Sequence, residues 1–145
     1  MTLRTVTPDA PLEEVHKRLT DWLDAHATAA GHPFDNQPFN LELHDGDTVV
    51  AGFSGYRLYD WLFVRFIAVD PARRGQGLGA RLVVEAEARV RAEGILGIFI
   101  DTYGYQAPGF YQRLGYTAFG TLGQPDPALC RTYLAKLLSP SAHLS

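Results

Sequence analysis

The sequence predicts an α/β protein of the α+β type, built around a mixed sheet. Its apolar residues first follow a helical period, then form short strands, and then form a strand–helix–strand unit. The chain has 145 residues, which suits one hydrophobic core, so we expect residues 1–145 to form a single domain. Its composition, 46% hydrophobic and 20% charged, is that of a globular protein.

The first elements are a helix and a hairpin. Residues 11–29 form the helix, because their apolar side chains recur at helical spacing along one stripe. A turn-rich loop, 31–38, follows. Two short strands, 39–43 and 48–57, are joined by an Asp-Gly turn, which predicts an antiparallel hairpin.

A strand–helix–strand unit occupies the middle of the chain. Segment 62–69 is nearly all apolar, as in a strand buried on both faces. The helix 80–93 has one apolar face, and Glu87 and Arg91 are expected to pair at a spacing of four. The strand 95–101 follows. Strands joined through a helix normally lie parallel, so this unit predicts a parallel pair.

The last elements are a short helix and two strands. The helix covers about 108–114, and the strands cover about 116–122 and 129–137. The two strands are expected to pair antiparallel. The resulting order, one helix, antiparallel strands, a βαβα unit and further strands, predicts a mixed sheet rather than a uniformly alternating one.

Composition excludes several classes of function. The net charge is −3, whereas nucleic acid and anionic membranes need a dominant basic face. The single cysteine and five scattered histidines predict no disulfide and no metal site. No signal peptide or membrane span is recognisable, so a cytoplasmic location is expected. Eleven of the thirteen basic residues are arginine, which weakly suggests a bacterial source.

The loop between the strand 62–69 and the following helix is the most informative segment. Arg73 and Arg74 stand at its start. Its glycines are Gly75, Gly77 and Gly79. Glycines let the backbone turn tightly and expose its N–H groups, and the helix N-terminus adds free donors and a positive dipole end. This combination predicts a phosphate site.

Three interpretations of the loop compete with the one given below. A P-loop needs Lys followed by Ser or Thr after the last glycine, but Ala80 and Arg81 follow. A dinucleotide fingerprint fits Gly75, Gly77 and Ala80, with Asp101 about 20 residues later. However, five residues separate the strand from the first glycine, and little chain remains for the rest of that fold. A purely structural turn stays open.

Two motifs resemble those of the GCN5-related N-acetyltransferase (GNAT) superfamily. Arg74-x-x-Gly77-x-Gly79 is similar to the acyl-CoA loop of that family, Q/R-x-x-G-x-G/A. Segment 107–116, APGFYQRLGY, is similar to the family's A-x-x-x-Y-x-x-x-G-F/Y helix. One helix and one strand separate the motifs, as in the family. The resemblance covers about residues 39–137.

The resemblance implies a mostly antiparallel sheet whose central parallel pair splays apart, with helices on both faces. It implies that acetyl-CoA is the cosubstrate and that no metal is used. Its pantetheine arm would pair with the backbone of Ile67, Ala68 and Val69 in the gap. Its pyrophosphate would bind the N–H groups of Arg74, Gly75, Gln76, Gly77, Leu78, Gly79 and Ala80. The side chain of Leu78 is expected to anchor the helix.

The resemblance also assigns catalytic roles. Tyr111 matches the family tyrosine that protonates the departing thiolate, near the cofactor sulfur. Some relatives have a glutamate as base at the place of Phe63, so Asp101 is the substitute we expect, with a water-mediated route as the alternative. Gly104 stands where the family often has Asn, and Gln106 is the residue expected to replace that contact.

The implied activity is the transfer of acetyl from acetyl-CoA to a primary amine by direct attack in a ternary complex. The acceptor would be a small-molecule or peptide amine, and a homodimer is a further expectation from the family. The acceptor site should involve 31–38, the open strand ends and the final hairpin. Because Phe63 and Gly104 depart from the family pattern, a CoA-binding or interaction domain without turnover is the alternative.

Overall fold

The computed structural model describes residues 1–145. Their contacts divide the chain into two compact units, Met1–Asp35 and Asn36–Ser145. The first unit contains the helix α1, Leu12–Ala29, close to its predicted bounds. The single domain expected for the whole chain stays a prediction.

The second unit is a six-stranded sheet with two helices. Its elements are β1 (Asn36–Asp45), β2 (Thr48–Leu58), β3 (Trp61–Val69), α2 (Leu78–Ala92), β4 (Gly97–Tyr103), α3 (Pro108–Arg113), β5 (Thr117–Leu122) and β6 (Arg131–Leu137). The strand order is β1-β2-β3-β4-β6-β5. Only β3 and β4 run parallel, and every other neighbouring pair is antiparallel. This confirms the predicted mixed, mostly antiparallel sheet with a central parallel pair.

Several element boundaries differ by one to three residues from those predicted, and those of β1 and β4 have a clear cause in strand pairing. The strand β1 begins at Asn36, inside the expected loop, because it pairs with β2 from Asn36 opposite Leu58 onwards. Its Pro38 is tolerated because β1 is an edge strand. The strand β4 extends past Asp101 to Tyr103, because β6 pairs with it over that length.

The core of this unit contains apolar side chains of the sheet and of α2. Its most completely buried members are Leu62, Leu82, Val83, Val90, Ile98 and Leu134. Burying each such side chain contributes about 1.5–3 kcal/mol. The core therefore holds α2 firmly on the sheet, and with it the loop that precedes α2.

One predicted charge pair is wrong. Glu87 does not pair with Arg91; it is 5% exposed and bonds to Tyr116 and Lys136. The physical reason lies in the helical period, because Glu87 shares the buried stripe of α2 with Val83 and Val90.

The parallel pair β3–β4 separates at its carboxyl end. Pairing runs from Trp61 opposite Gly97 to Val64 opposite Ile100 and stops there. On the other side of β3, Ser54 faces Phe66 and Gly55 faces Val64, so Arg65 is an extra, bulged residue. A bulge bends its strand. Residues 65–69 of β3 therefore have a backbone edge that β4 does not occupy. This is the separation expected for the central parallel pair.

Candidate active site

A cleft of about 620 Å³ lies between the separated ends of β3 and β4. It contains every predicted site residue except one: Ile67, Ala68, Val69, Arg74, Gly75, Gly77, Leu78, Gly79, Ala80, Asp101 and Tyr111. The exception is Gln76, which lies in a second hollow of about 240 Å³ beside His44 and Arg81. The structure thus brings together the loop, the strand edge and the tyrosine helix, while the cofactor-binding role of these residues stays a prediction.

The loop is shaped at its start by an acidic residue. Asp70 accepts a 3.0 Å hydrogen bond from the Ala72 N–H and so caps a short 3₁₀ turn, Pro71–Arg73. The Arg73 guanidinium bonds to the Asp45 carboxylate at 2.7 Å. Since that contact occupies Arg73, Arg74 is the arginine better placed to meet an anion in the cleft.

The backbone of the loop turns through left-handed conformations. Gly75 has φ +78° and Gly77 has φ +72°, values that side chains rarely allow. Gly77 caps α2, and the first helical hydrogen bond runs from the Arg81 N–H to the Gly77 carbonyl at 3.0 Å. The N–H groups of 78–80 come before that bond, so they remain available as donors at the positive end of the helix.

Close packing joins α2 to the tyrosine helix α3. A Cβ on Gly79 would lie 3.4 Å from Phe110 Cζ and 3.7 Å from Val69 Cγ2. An added Cβ would therefore already be in van der Waals contact with both side chains. Gly79 therefore lets the N-terminal end of α2 pack closely on Phe110, which precedes Tyr111 on α3.

Tyr111 lies on α3 with its ring between two other aromatic rings. The Phe110 ring is 5.0 Å away and the Tyr116 ring 6.0 Å away, both edge to face. Burial raises the pKa of the Tyr111 phenol to about 12. Since burial disfavours the phenolate, Tyr111 stays protonated at neutral pH and can donate a proton but not accept one.

Asp101 lines the cleft, and its carboxylate is paired with a cation that sequence reasoning missed. Both Nε and Nη2 of Arg131 lie 2.9 Å from Asp101 Oδ1. The guanidinium also lies 5.8 Å from the Tyr103 ring and 5.3 Å from the Tyr133 ring. Only Oδ2 is free of this contact, so the role of Asp101 as base stays a prediction. Arg131 could have been identified as the partner of Asp101 only from the register between β4 and β6. In that register Arg131 faces Tyr103, two residues along β4 from Asp101.

The packing around Gly104 and Phe63 explains why each of these residues departs from the family pattern. Gly104 has no room for asparagine, because a Cβ there would overlap the Pro127 carbonyl oxygen. Phe63 packs 5.0 Å from the Phe99 ring and 5.2 Å from the Tyr56 ring, so an aromatic cluster occupies the place of the family glutamate.

Gln106 borders the cleft in a fixed orientation. Its side-chain Oε1 accepts hydrogen bonds from the Tyr103 N–H at 2.8 Å and from the Thr102 hydroxyl at 3.1 Å. Only an oxygen can accept the Tyr103 N–H, so the amide nitrogen is the other atom, with two N–H donors. Gln106 can therefore supply the donor that a family asparagine would provide.

The arrangement suits a long ligand with anionic phosphates and a reactive acyl group. Free N–H donors, an open strand edge and a protonated phenol all line one cleft. No group of three or more His, Cys, Asp or Glu residues in the chain could hold a metal ion. None of the three helices is both long and apolar enough to cross a membrane.

Comparisons with known proteins agree with this geometry. A blasticidin-S acetyltransferase of Streptomyces morookaense is 41% identical over 91 residues, 62% of this chain and 67% of its own. An acetyltransferase structure from Agrobacterium tumefaciens has a TM-score of 0.82 and 32% identity, covering 93% of this chain and 99% of its own. An aminoglycoside 6'-N-acetyltransferase complexed with coenzyme A shares the fold, with a TM-score of 0.62 and 20% identity over 74% of this chain and 76% of its own.

The splayed strand pair, the glycine-rich loop and the tyrosine helix define an acetyltransferase. The model of the Acetyltransferase (GNAT) family matches residues 4–116, and this chain belongs to that family. The resemblance found in the sequence is thereby confirmed.

Proposed function

We propose that this protein is an N-acetyltransferase that moves the acetyl group of acetyl-CoA to a primary amine of a small molecule. The observation that carries the proposal is the single cleft lined by the loop N–H groups, the open edge of β3 and the hydroxyl-bearing Tyr111. Family membership supports the acetyl transfer. The nature of the acceptor is our inference.

Acetyl-CoA supplies an acetyl group activated as a thioester. The residues present fit the cosubstrate, because the N–H groups of 74–80 and the Arg74 side chain match its anionic pyrophosphate. The backbone of 67–69 has an edge that β4 leaves open, where amide groups of the pantetheine arm can pair. The Gln106 amide nitrogen offers one further donor to that arm.

Tyr111 acts as the general acid in this proposal. The amine nitrogen forms a bond to the acetyl carbon, the carbon–sulfur bond breaks, and Tyr111 gives its proton to the departing sulfur. A cationic amine first loses a proton to Asp101 or to water, because an ammonium has no lone pair. After the attack its nitrogen releases a second proton to solvent, and solvent returns a proton to Tyr111. Burial raises the pKa of the phenol, and it raises the pKa of a thiol in the same place for the same reason, so the two groups stay matched.

A small-molecule acceptor is favoured by the relative in Streptomyces morookaense, whose name gives blasticidin S as its acceptor. The open carboxylate oxygen of Asp101 would attract a cationic amine toward the cleft. Tyr103 lies two residues further along β4 and, with Arg131, flanks this carboxylate. Since neither Tyr103 nor Arg131 lines the cleft, the Asp101 carboxylate is the group that we propose to meet the amine.

The second candidate is a CoA-binding domain without turnover. It is favoured by Phe63 within its aromatic cluster and by the ion pair of Asp101, since together they leave the chain without an unpaired carboxylate base in the cleft. Such a domain would bind acetyl-CoA but release no thiol.

A thermal-shift titration and a thiol-release assay test the proposal together. Acetyl-CoA binds only the folded protein, so at 100 times its Kd it should add about 2.7 kcal/mol of stability. With a panel of small-molecule, peptide and lysine amines, at least one amine should release free CoA. Tyr111→Phe should lower kcat about a hundredfold or more with little change in acetyl-CoA affinity.

The outcomes separate the two candidates. A thermal shift without thiol release for any amine identifies the binding domain. If acetyl-CoA causes no thermal shift and no amine releases CoA, both candidate functions are refuted. Release that Tyr111→Phe leaves unchanged refutes the acid role while leaving the transferase activity intact.

A further inference from the structure

A buried polar cluster lies behind the tyrosine helix, outside the cleft. Glu87 of α2 is 5% exposed. Its Oε2 accepts a 2.8 Å hydrogen bond from Lys136 Nζ, and its Oε1 accepts a 3.1 Å bond from the Tyr116 hydroxyl. A hydrophobic residue often stabilises such a position as well as a buried ion pair does. Stability alone therefore gives no reason for a charge at this place.

The cluster reaches the end of the tyrosine helix. Lys136 Nζ also donates a 2.9 Å hydrogen bond to the carbonyl of Leu114, the residue that caps α3. The same ammonium lies 5.8 Å from the Tyr116 ring. Its stem passes Gly115, where a Cβ would lie 3.5 Å from Lys136 Cε. One lysine thus ties the last turn of α3 to the carboxylate on α2.

Tyr116 connects the cluster to Tyr111. The Tyr116 N–H donates a 3.0 Å hydrogen bond to the Tyr111 carbonyl, and the two rings meet edge to face at 6.0 Å. Both the backbone and the ring of Tyr111 therefore contact Tyr116. Glu87, Tyr116 and Lys136 do not line the cleft, so they do not meet a ligand there directly.

We propose that Glu87 and Lys136, acting through Tyr116, are positioning residues that hold the Tyr111 hydroxyl where the departing sulfur takes its proton. This inference rests on the proposed function. An aromatic pair contributes little beyond the burial of its rings, so the contact with Tyr116 alone fixes the Tyr111 ring weakly. Hydrogen bonds to a charged group are about twice as strong as neutral ones, so Glu87 anchors Tyr116 and Tyr116 orients Tyr111.

The ionisation of the cluster is consistent with this role. Burial, followed by the negative charge of Glu87 and its hydrogen bond, raises the pKa of the Tyr116 hydroxyl far above its ordinary value. Tyr116 therefore remains a hydrogen-bond donor to Glu87 throughout the physiological pH range.

Tyr116→Phe tests the inference because it removes the hydroxyl that bonds to Glu87 and leaves the ring and the Lys136–Glu87 pair. We expect kcat to fall roughly tenfold or more, since a small misplacement of a catalytic group is costly. The KM for acetyl-CoA should change less than about twofold. Tyr56→Phe is the control, because Tyr56 lies on β2 and outside the cleft, and its kcat should equal that of the wild type.

A double-mutant cycle separates positioning from support of the fold. In a Tyr111→Phe background there is no acid to position, so adding Tyr116→Phe should not lower kcat further. An equal loss of kcat in both backgrounds, or a parallel loss of acetyl-CoA affinity, would show that the cluster serves the fold alone and would overturn the inference.

A spectroscopic readout keeps the inference distinct from the proposed function. In protein labelled with 3-fluorotyrosine, Tyr111→Phe identifies the Tyr111 fluorine resonance. Tyr116→Phe should shift or broaden that resonance, and an unchanged resonance overturns the positioning role. If the wild-type protein releases no CoA with any amine, the proposed function fails, and the resonance still decides the positioning.

Discussion

At the scale of single residues, Gly104 occupies a place that no side chain can fill. Its N–H donates to the Cys130 carbonyl at 2.9 Å, and the neighbouring Tyr105 N–H donates to the Ala128 carbonyl at 3.0 Å. These bonds bring the backbone of 127–130 against β4. The missing family asparagine is therefore the consequence of a loop that packs directly on this position.

Gly104→Ala should destabilise the protein by at least about 1 kcal/mol, because the added Cβ would overlap the Pro127 carbonyl oxygen and the backbone must move. Urea unfolding measures the change. Gly123→Ala is the matched control, since a Cβ on Gly123 meets nothing within 4 Å and its φ is not positive. Equal stability of the two variants would show that the loop yields and that the steric explanation is wrong.

At the scale of elements, both ends of α2 have a glycine in a left-handed conformation, but the two glycines have different surroundings. Gly77 before the helix has φ +72°, and Gly94 after it has φ +83°. A Cβ on either glycine would meet nothing within 4 Å. Only Gly77 lines the cleft. Comparing the same substitution at Gly77 and at Gly94 therefore separates an effect on binding from an effect on the stability of the helix.

Gly77→Ala and Gly94→Ala should each lose about 1–2 kcal/mol of stability, the cost of a left-handed conformation with a side chain. Only Gly77→Ala should also weaken CoA binding, because a shift of the loop misaligns the N–H groups that receive the pyrophosphate. Urea unfolding and calorimetric titration with CoA measure the two effects. If both variants bind CoA as tightly as the wild type does, the loop is a structural turn and not a phosphate site.

At the scale of the whole molecule, local patterns were sufficient to predict the element order. The apolar run of β3, the helical period of α2 and the glycine-rich loop between them each depend on neighbours in the chain, and the parallel pairing followed from them. The motifs also named Tyr111 and the loop, which the structure brings to one cleft.

Other features depended on contacts between distant segments. The bulge at Arg65 depends on the register between β2 and β3. The partner of Asp101, Arg131, is thirty residues away in sequence. Glu87 could have been placed on the buried stripe of α2 from its spacing, but its partner Lys136 could not, because that contact joins residues 49 apart.

The stability of the whole chain in alkaline solution tests the burial of Tyr111. Burial raises its pKa from 10.0 in the unfolded chain to about 12 in the folded one. Below pH 10 both states hold the proton, so the stabilising contribution is complete. Between pH 10 and 12 the unfolded chain releases the proton while the folded chain keeps it, so the free energy of unfolding falls.

At pH 11 this fall amounts to about 1.4 kcal/mol relative to pH 9. Phenylalanine has no proton to release, so Tyr111→Phe lacks this dependence on pH. The free energy of unfolding of the wild type, relative to that of Tyr111→Phe, should therefore fall by about that amount from pH 9 to pH 11. Urea unfolding at each pH measures it. Tyr105→Phe is the control, because Tyr105 is 64% exposed and its surroundings change less on unfolding. If Tyr111→Phe and Tyr105→Phe show the same dependence on pH, the Tyr111 phenol is not held in an apolar site, and burial does not raise its pKa alongside that of a thiol in the same place.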